Sequence, residues 1–231
     1  MACSCQLDKH AALSGSSKPW SRTGLSRFVA GLIVTAMAVL TGCSRNEPPP
    51  VRAHSGPLSG PACVRFLAER GVAVQPWQGG TRACPVDTPV RASSGRIAVF
   101  TPPLQTSCGM LSVWADFEAD LDRTARATLG SPVVGVRHFG SYACRNMTGN
   151  AGRPSLHAQA RAFDIAGFVL ADGRVITVLK GWSGPADQRR FLRAVVAAAC
   201  RRFNVVLTPN SDRFHQDHIH VDIGPWRRCE V

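Results

Sequence analysis

Cysteine restricts this chain more than any other feature. Its 231 residues hold nine cysteines, and no two of them stand in a C-x-x-C pair. Zinc ribbons and thioredoxin-type redox centres need that spacing, so neither explains the number. A disulfide framework does, and such frameworks persist outside the reducing cytoplasm. The chain is therefore expected to be exported, and the odd count needs an explanation.

Residues 28–40 (FVAGLIVTAMAVL) answer the first requirement. This is a 13-residue run without a charge. A bilayer span takes about 20 apolar residues, whereas the apolar region of a signal peptide takes about 7–15. Arg22 and Arg27 form the basic flank, and the run ends in Leu40-Thr41-Gly42-Cys43. Small residues before a cysteine resemble a bacterial lipobox, in which Cys43 would be lipidated and become the mature N-terminus. Ser44 follows instead of Asp, which points to sorting toward the outer membrane. Residues 1–21 precede the usual layout of such a leader, so translation is expected to start downstream, near Leu25.

Loss of residues 1–42 would leave 189 residues and remove Cys3 and Cys5. With Cys43 carrying lipid, Cys63, Cys84, Cys108, Cys144, Cys200 and Cys229 remain. An even six reads as three disulfides among 15 possible pairings. Cys63–Cys84 is the expected local pair, because it closes a short loop. Residues 43–61 read as the lipidated cysteine and a tether rich in Pro, Gly and Ser. At ~3.1 Å per residue this tether reaches about 50 Å. Residues 62–231 read as one domain.

The formal charge is +12, and the expected cleavage removes four basic residues and one acid, leaving +9. Charge of that size suits nucleic acid or an acidic surface. Export, a single Tyr and the lack of a basic helix or aromatic platform argue against nucleic acid.

Helices are expected at Pro61–Arg70, Leu111–Leu129 and Gln188–Phe203, where apolar residues recur at helical spacing between Pro and Gly stops. Strands are expected at residues 97–100, Val133–Phe139, Val205–Leu207 and His218–Ile223. Phe163–Val178 reads as a hairpin turning at Asp172-Gly173. Interleaved helices and strands with a hairpin predict an α+β fold with a mainly antiparallel sheet.

Two segments concentrate the chemistry: Ser155-Leu-His157 through Asp164-Ile165, and His215-Gln-Asp217-His218-Ile-His220-Val-Asp222-Ile223. In a strand, alternate residues share a face. His218, His220 and Asp222 then share one face, while Ile219, Val221 and Ile223 share the other. Any one of these histidines alone reads as an ordinary surface or core residue; three within six positions do not. Asp164 alternates with Phe163 and Ile165, so its carboxylate points away from the core. Two imidazole nitrogens and one carboxylate oxygen suit zinc, and three protein ligands leave a position open for water. Asp222 could orient an imidazole from behind.

These motifs resemble a known family. Gly140-Ser-Tyr142-Ala-Cys144-Arg145, Ser155-x-His157-Ala, Ala162-x-Asp164-Ile165-Ala-x-Phe168 and His215-x-Asp217-His218-x-His220-x-Asp222 resemble the bacterial extensin-like C-terminal domain over residues 63–229. The group as a whole is similar to the zinc peptidases of the lysostaphin, D-Ala-D-Ala metallopeptidase and hedgehog type. The His-x-x-His-x-His run is similar to the murein endopeptidases. The resemblance implies a disulfide-stabilised hedgehog/DD-peptidase-like fold, with His157, Asp164 and His220 as Zn2+ ligands. It implies His218 as general base, His215 assisting it, and Arg145 binding a substrate carboxylate or oxyanion. Arg145 reads equally well as a solvated arginine. Asp222 and Ser155 would support the ligands. The family usually has Gly where Ala160 stands, which bears on loop geometry. The implied activity is zinc-dependent D,D- or L,D-cleavage of peptidoglycan stem peptides by a lipoprotein facing the periplasm. The alternative is a non-catalytic module that binds zinc or peptidoglycan on the same fold.

Overall fold

The computed structural model describes residues 57–230. The expected signal peptide, Cys43 and most of the tether lie outside the described residues. Residues 57–59 already belong to the folded body, because Leu58 packs against the core.

The chain forms α1 (Gly60–Glu69), β1 (Gln75–Pro76), β2 (Pro89–Ser94), β3 (Val99–Ser107) and α2 (Cys108–Leu129). It continues with β4 (Val133–Gly140), β5 (Asn146–Met147), β6 (Asn150–Pro154), β7 (Ala162–Leu170), β8 (Val175–Thr177) and α3 (Val178–Gly181). Then come α4 (Ala186–Ala199), β9 (Val205–Leu207), β10 (Ile219–Asp222) and β11 (Arg228–Cys229). Nine strands form one sheet in the order β1-β2-β3-β4-β7-β10-β9-β11, with β8 alongside the end of β7. All its neighbours are antiparallel except β3 with β4 and β9 with β11. The α+β class with a mainly antiparallel sheet is thus observed. No helix among the described residues is long and apolar enough to cross a membrane.

Local chemistry accounts for the main elements. In α2, the Ser107 hydroxyl accepts from the Met110 N–H at 3.2 Å, satisfying a free donor of the first turn. Gly130 ends the helix at φ 70°, a left-handed conformation that glycine adopts without a Cβ clash. This cap starts α2 at Cys108, three residues before the expected Leu111.

The helices cover one face of the sheet. Trp114 of α2 meets Phe163 of β7 edge-on at 5.1 Å, and Phe191 of α4 meets Phe168 at 5.4 Å. Phe163, Ile165 and Phe168 of β7 and Ile219 and Val221 of β10 are wholly buried beneath them. The alternate residues of β7 and β10 therefore face away from the helices, as the pleat requires.

Three disulfides staple this body: Cys63–Cys108, Cys84–Cys144 and Cys200–Cys229. The expected Cys63–Cys84 bond is not formed. Cys63 is fully buried on α1 and faces the first turn of α2, where Cys108 lies with its Cα 6.1 Å away. Cys84 instead ties its loop to the segment after β4, where Cys144 stands. Helix packing overrode sequence proximity.

Candidate metal-binding site

Adjacent strands β7 and β10 bring the two sequence segments together. Their register pairs Asp164 with His220, so both side chains leave the same outer face side by side. His220 Nδ1 lies 2.9 Å from Asp164 Oδ1. His157 comes from the short 3-10 turn Leu156–Gln159, ahead of β7. The Ser155 hydroxyl caps that turn by accepting from the His157 N–H at 3.3 Å. Ala160 closes it in the left-handed region at φ 51°, the conformation glycine takes most readily. The alanine therefore still makes the turn that glycine would.

Ligand atoms of His157, Asp164 and His220 all lie within 4.8 Å of one another. His157 Nε2 stands 3.2 Å from Asp164 Oδ2 and 3.3 Å from His220 Nδ1. The groups behind them fix which nitrogens face inward. His157 Nδ1 donates to the Ser141 carbonyl at 3.0 Å. A carbonyl only accepts, so Nδ1 carries a proton and Nε2 is the nitrogen turned toward Asp164 and His220. His220 Nε2 donates to Asp222 Oδ2 at 3.3 Å, which leaves Nδ1 to face Asp164. Asp222 is held in turn by the Gly224 N–H, donated to Oδ1 at 2.8 Å. Each histidine thus has an acceptor behind it, as metal-bound histidines do.

The electrostatics match. Burial would raise the Asp164 carboxyl, but hydrogen bonds from His157 and His220 outweigh it and hold the group far below the usual carboxylate range. Burial would lower His220, but hydrogen bonds to Asp164 and Asp222 outweigh that and push it up to about 9. An ionised carboxylate and a doubly donating imidazole meet in a mostly buried place. A divalent cation replacing the Nδ1 proton satisfies the same acceptors.

The other expected residues are placed as follows. His218 Nε2 lies 3.6 Å from Asp164 Oδ1, and its Nδ1 donates to Asp217 at 2.8 Å. The His215 ring is 5.0 Å from that of His218 and 5.8 Å from that of His220. Burial lowers the His215 pKa against the pull of Asp212, whose carboxylate accepts from Nδ1 at 2.7 Å. Five of the expected side chains, His157, Asp164, His215, His218 and His220, therefore gather in one place with Asp222 behind. Arg145 is exposed, and its guanidinium donates to the Asn146 carbonyl at 3.3 Å and to the Thr148 hydroxyl at 3.4 Å.

Sequence reasoning missed three supports. The Ser141 contact uses a backbone carbonyl and has no sequence signal. Asp212 and Asp217 stand three and one residues before the histidines they hold, a spacing that could have suggested them. Phe139 was also missed: it is 61% exposed on β4, with its ring 5.8 Å from that of His218.

Fold and site together define a disulfide-bonded α+β domain with a His–Asp–His group, able to hold a metal ion, on the open face of its sheet. The model of the family described as extensin-like protein C-terminus matches residues 61–230, nearly all of the described part. The chain belongs to that family. Comparisons with curated proteins and with solved structures gave no match.

Proposed function

We propose that this chain is a zinc-dependent peptidase of the cell envelope that hydrolyses an amide bond in peptidoglycan stem peptides. The observation that supports it most is the convergence of three ligand atoms within 4.8 Å, with two further histidines beside them. A site that only held a metal would have no use for His218 and His215. The order of His157, Asp164 and His220 also supports kinship with the hedgehog and DD-peptidase group of zinc peptidases.

His157 through Nε2, Asp164 through its carboxylate and His220 through Nδ1 would hold the ion. Zinc, when bound, supplies Lewis acidity, lowering the pKa of water and polarising a carbonyl. His218 would take the proton from the attacking water and return it to the leaving amine. Asp217 holds its Nδ1, which leaves Nε2 free on the side of Asp164. His215, kept neutral by burial, would share that proton. Asp222 and Ser141 hold the ligand rings in position.

In this reading the leader delivers the chain to the periplasm, Cys43 anchors it by lipid in the outer membrane, and the tether lets it reach the wall. A charge of +9 favours a carboxylate-rich polymer.

A second reading, a binding module on the same fold, is favoured by Arg145, whose guanidinium engages its own hairpin. One experiment separates the two. The purified chain is assayed for zinc and incubated with murein sacculi, beside His218→Ala and His220→Ala. One zinc per chain and new muropeptides, absent with both variants, support the peptidase. Bound zinc without products from any sacculus type selects the binding module, and no zinc after loading sinks both.

A further inference from the structure

A second feature lies beside β8, where the sheet meets the α3–α4 segment. Arg137, Val175, Thr177, Lys180, Pro185 and Gln188 line a concavity of about 450 Å³. Ligand pockets typically run from about 300 to 1,000 Å³. Register places its Arg137 and Thr177 on the side of the His–Asp–His group. Val136 and His138 pair with Phe168 and Ile165 and are buried toward the helices. Arg137, between them, projects the other way and pairs with Gly167, which pairs with Thr177 of β8. Asp164 alternates with buried Phe163 and Ile165 and so leaves by the same face. From Gly167 to Asp164 is three residues of β7, about 10 Å at ~3.3 Å each. Exposed Phe139, against His218, lies along β4 between the two.

The lining is electropositive. None of the six residues is acidic. Among the described residues the Arg137 and Lys180 side chains have no hydrogen-bond or ion-pair partner. Neighbouring Arg174, by contrast, is paired with Asp172 at 2.7 Å and Asp187 at 3.8 Å. The Thr177 hydroxyl accepts from the Lys180 N–H at 3.3 Å, so its own O–H remains free to donate. A guanidinium, an ammonium, a hydroxyl and a primary amide around one hollow offer donors of the kind that bind a carboxylate.

We propose that this hollow is a subsite for a side-chain carboxylate of an extended acidic peptide. Such a peptide lies with its backbone at the His–Asp–His group, crosses Phe139 and places the carboxylate between Arg137 and Lys180. The proposal rests on the peptide-ligand part of the reading above, but it does not require turnover.

The test measures binding. The full-length chain in detergent, zinc-loaded, is titrated calorimetrically at low salt with two probes amidated at the C-terminus: the pentapeptide amide Ala-Glu-Lys-Ala-Ala and its counterpart with Gln in place of Glu. Arg137→Gln and Lys180→Met are compared with the wild type, with zinc content and circular dichroism as checks on folding. The wild type is expected to prefer the acidic peptide about tenfold, the size of one charge-assisted contact. Each variant is expected to lose that preference and keep its affinity for the Gln peptide. Equal binding of both peptides by the wild type overturns the subsite, as does a preference that survives in both variants. Full competition by inorganic phosphate at matching concentration overturns the peptide assignment in favour of a free-anion site. A preference that holds while sacculi stay uncut supports the subsite and removes only the peptidase reading.

Discussion

Asp222→Asn tests the reading of the metal group most directly. Asp222 is 5% exposed, and its two carboxylate oxygens accept from two separate donors. Oδ2 takes the His220 Nε2 proton at 3.3 Å, and Oδ1 takes the Gly224 N–H at 2.8 Å. Asparagine has a single acceptor oxygen. If that oxygen keeps the shorter bond to Gly224, the NH2 group faces the His220 N–H and one charge-assisted bond is lost. Such a bond contributes about 1.5–3 kcal/mol. That range converts to roughly 10- to 100-fold in zinc affinity, in line with the loss seen when the partner behind a metal-bound histidine is removed. The assay is zinc competition against a chromophoric chelator at pH 7.5. Asp217→Asn is the control: its carboxylate is 47% exposed and bonds His218, not a ligand. Zinc affinity should fall at least tenfold in Asp222→Asn and stay within about twofold in Asp217→Asn. Equal affinity in wild type and Asp222→Asn would refute the argument that Asp222 sets the His220 ring.

Three further outcomes follow from the same contacts. Metal-free protein should lose stability as pH rises through about 9: His220 is raised from its ordinary 6.5, so its contribution is full below about 6.5 and disappears above the folded value. Melting temperatures from pH 6 to 10 check this, with His220→Asn expected to flatten the slope and bound zinc to suppress it. Glu118→Ala should destabilise the fold by about 2–4 kcal/mol in urea, because two backbone donors lose a buried acceptor. Those donors are the N–H groups of Arg96 at 2.5 Å and Ala98 at 3.3 Å, and burial already raises the Glu118 carboxyl. Replacing Cys200 and Cys229 by Ser opens a bond that closes 29 residues. The chain-entropy relation gives a loss of about 3.6 kcal/mol, read as a lower urea midpoint, and an unchanged midpoint would argue against a closed bond there.

How much of this was legible depended on whether a residue's surroundings come from its own element. β10 was readable because Ile219 and Val221 must enter the core, which forces His220 and Asp222 onto the opposite face. The same alternation around Asp164 placed it correctly, and the pairing of β7 with β10 did the rest. α2 and α4 announced themselves through Trp114, Phe117 and Leu121, and through Phe191, Leu192 and Val195, at helical spacing. β2 (PVRASS) was missed: half of it is polar and it lies near the sheet edge, so no apolar run marks it. The disulfide partners were illegible for a different reason. Cys63 meets Cys108, 45 residues away, and Cys84 meets Cys144, 60 away, and only the packing of α1 on α2 and of two loops decides this.

The site shows the same division between side-chain pattern and backbone. Its ligands were written in the sequence as residue types at fixed intervals, whereas what orients them was not. The orientation of the His157 ring depends on the carbonyl of Ser141, and any residue has a carbonyl. What selects serine there is its side chain, which is buried and bonds Thr106 at 2.7 Å, locking the segment that presents the carbonyl. Thr106 in turn donates to the Ala160 carbonyl at 3.2 Å, at the left-handed corner that ends the His157 turn. One buried hydroxyl pair therefore ties both segments around His157 to β3. A chain with the same four histidines and Asp164 but without Thr106 and Ser141 would keep the motif and lose this tie. The ligand pattern identifies the site, and the hydroxyl pair behind it holds His157 in register with Asp164 and His220.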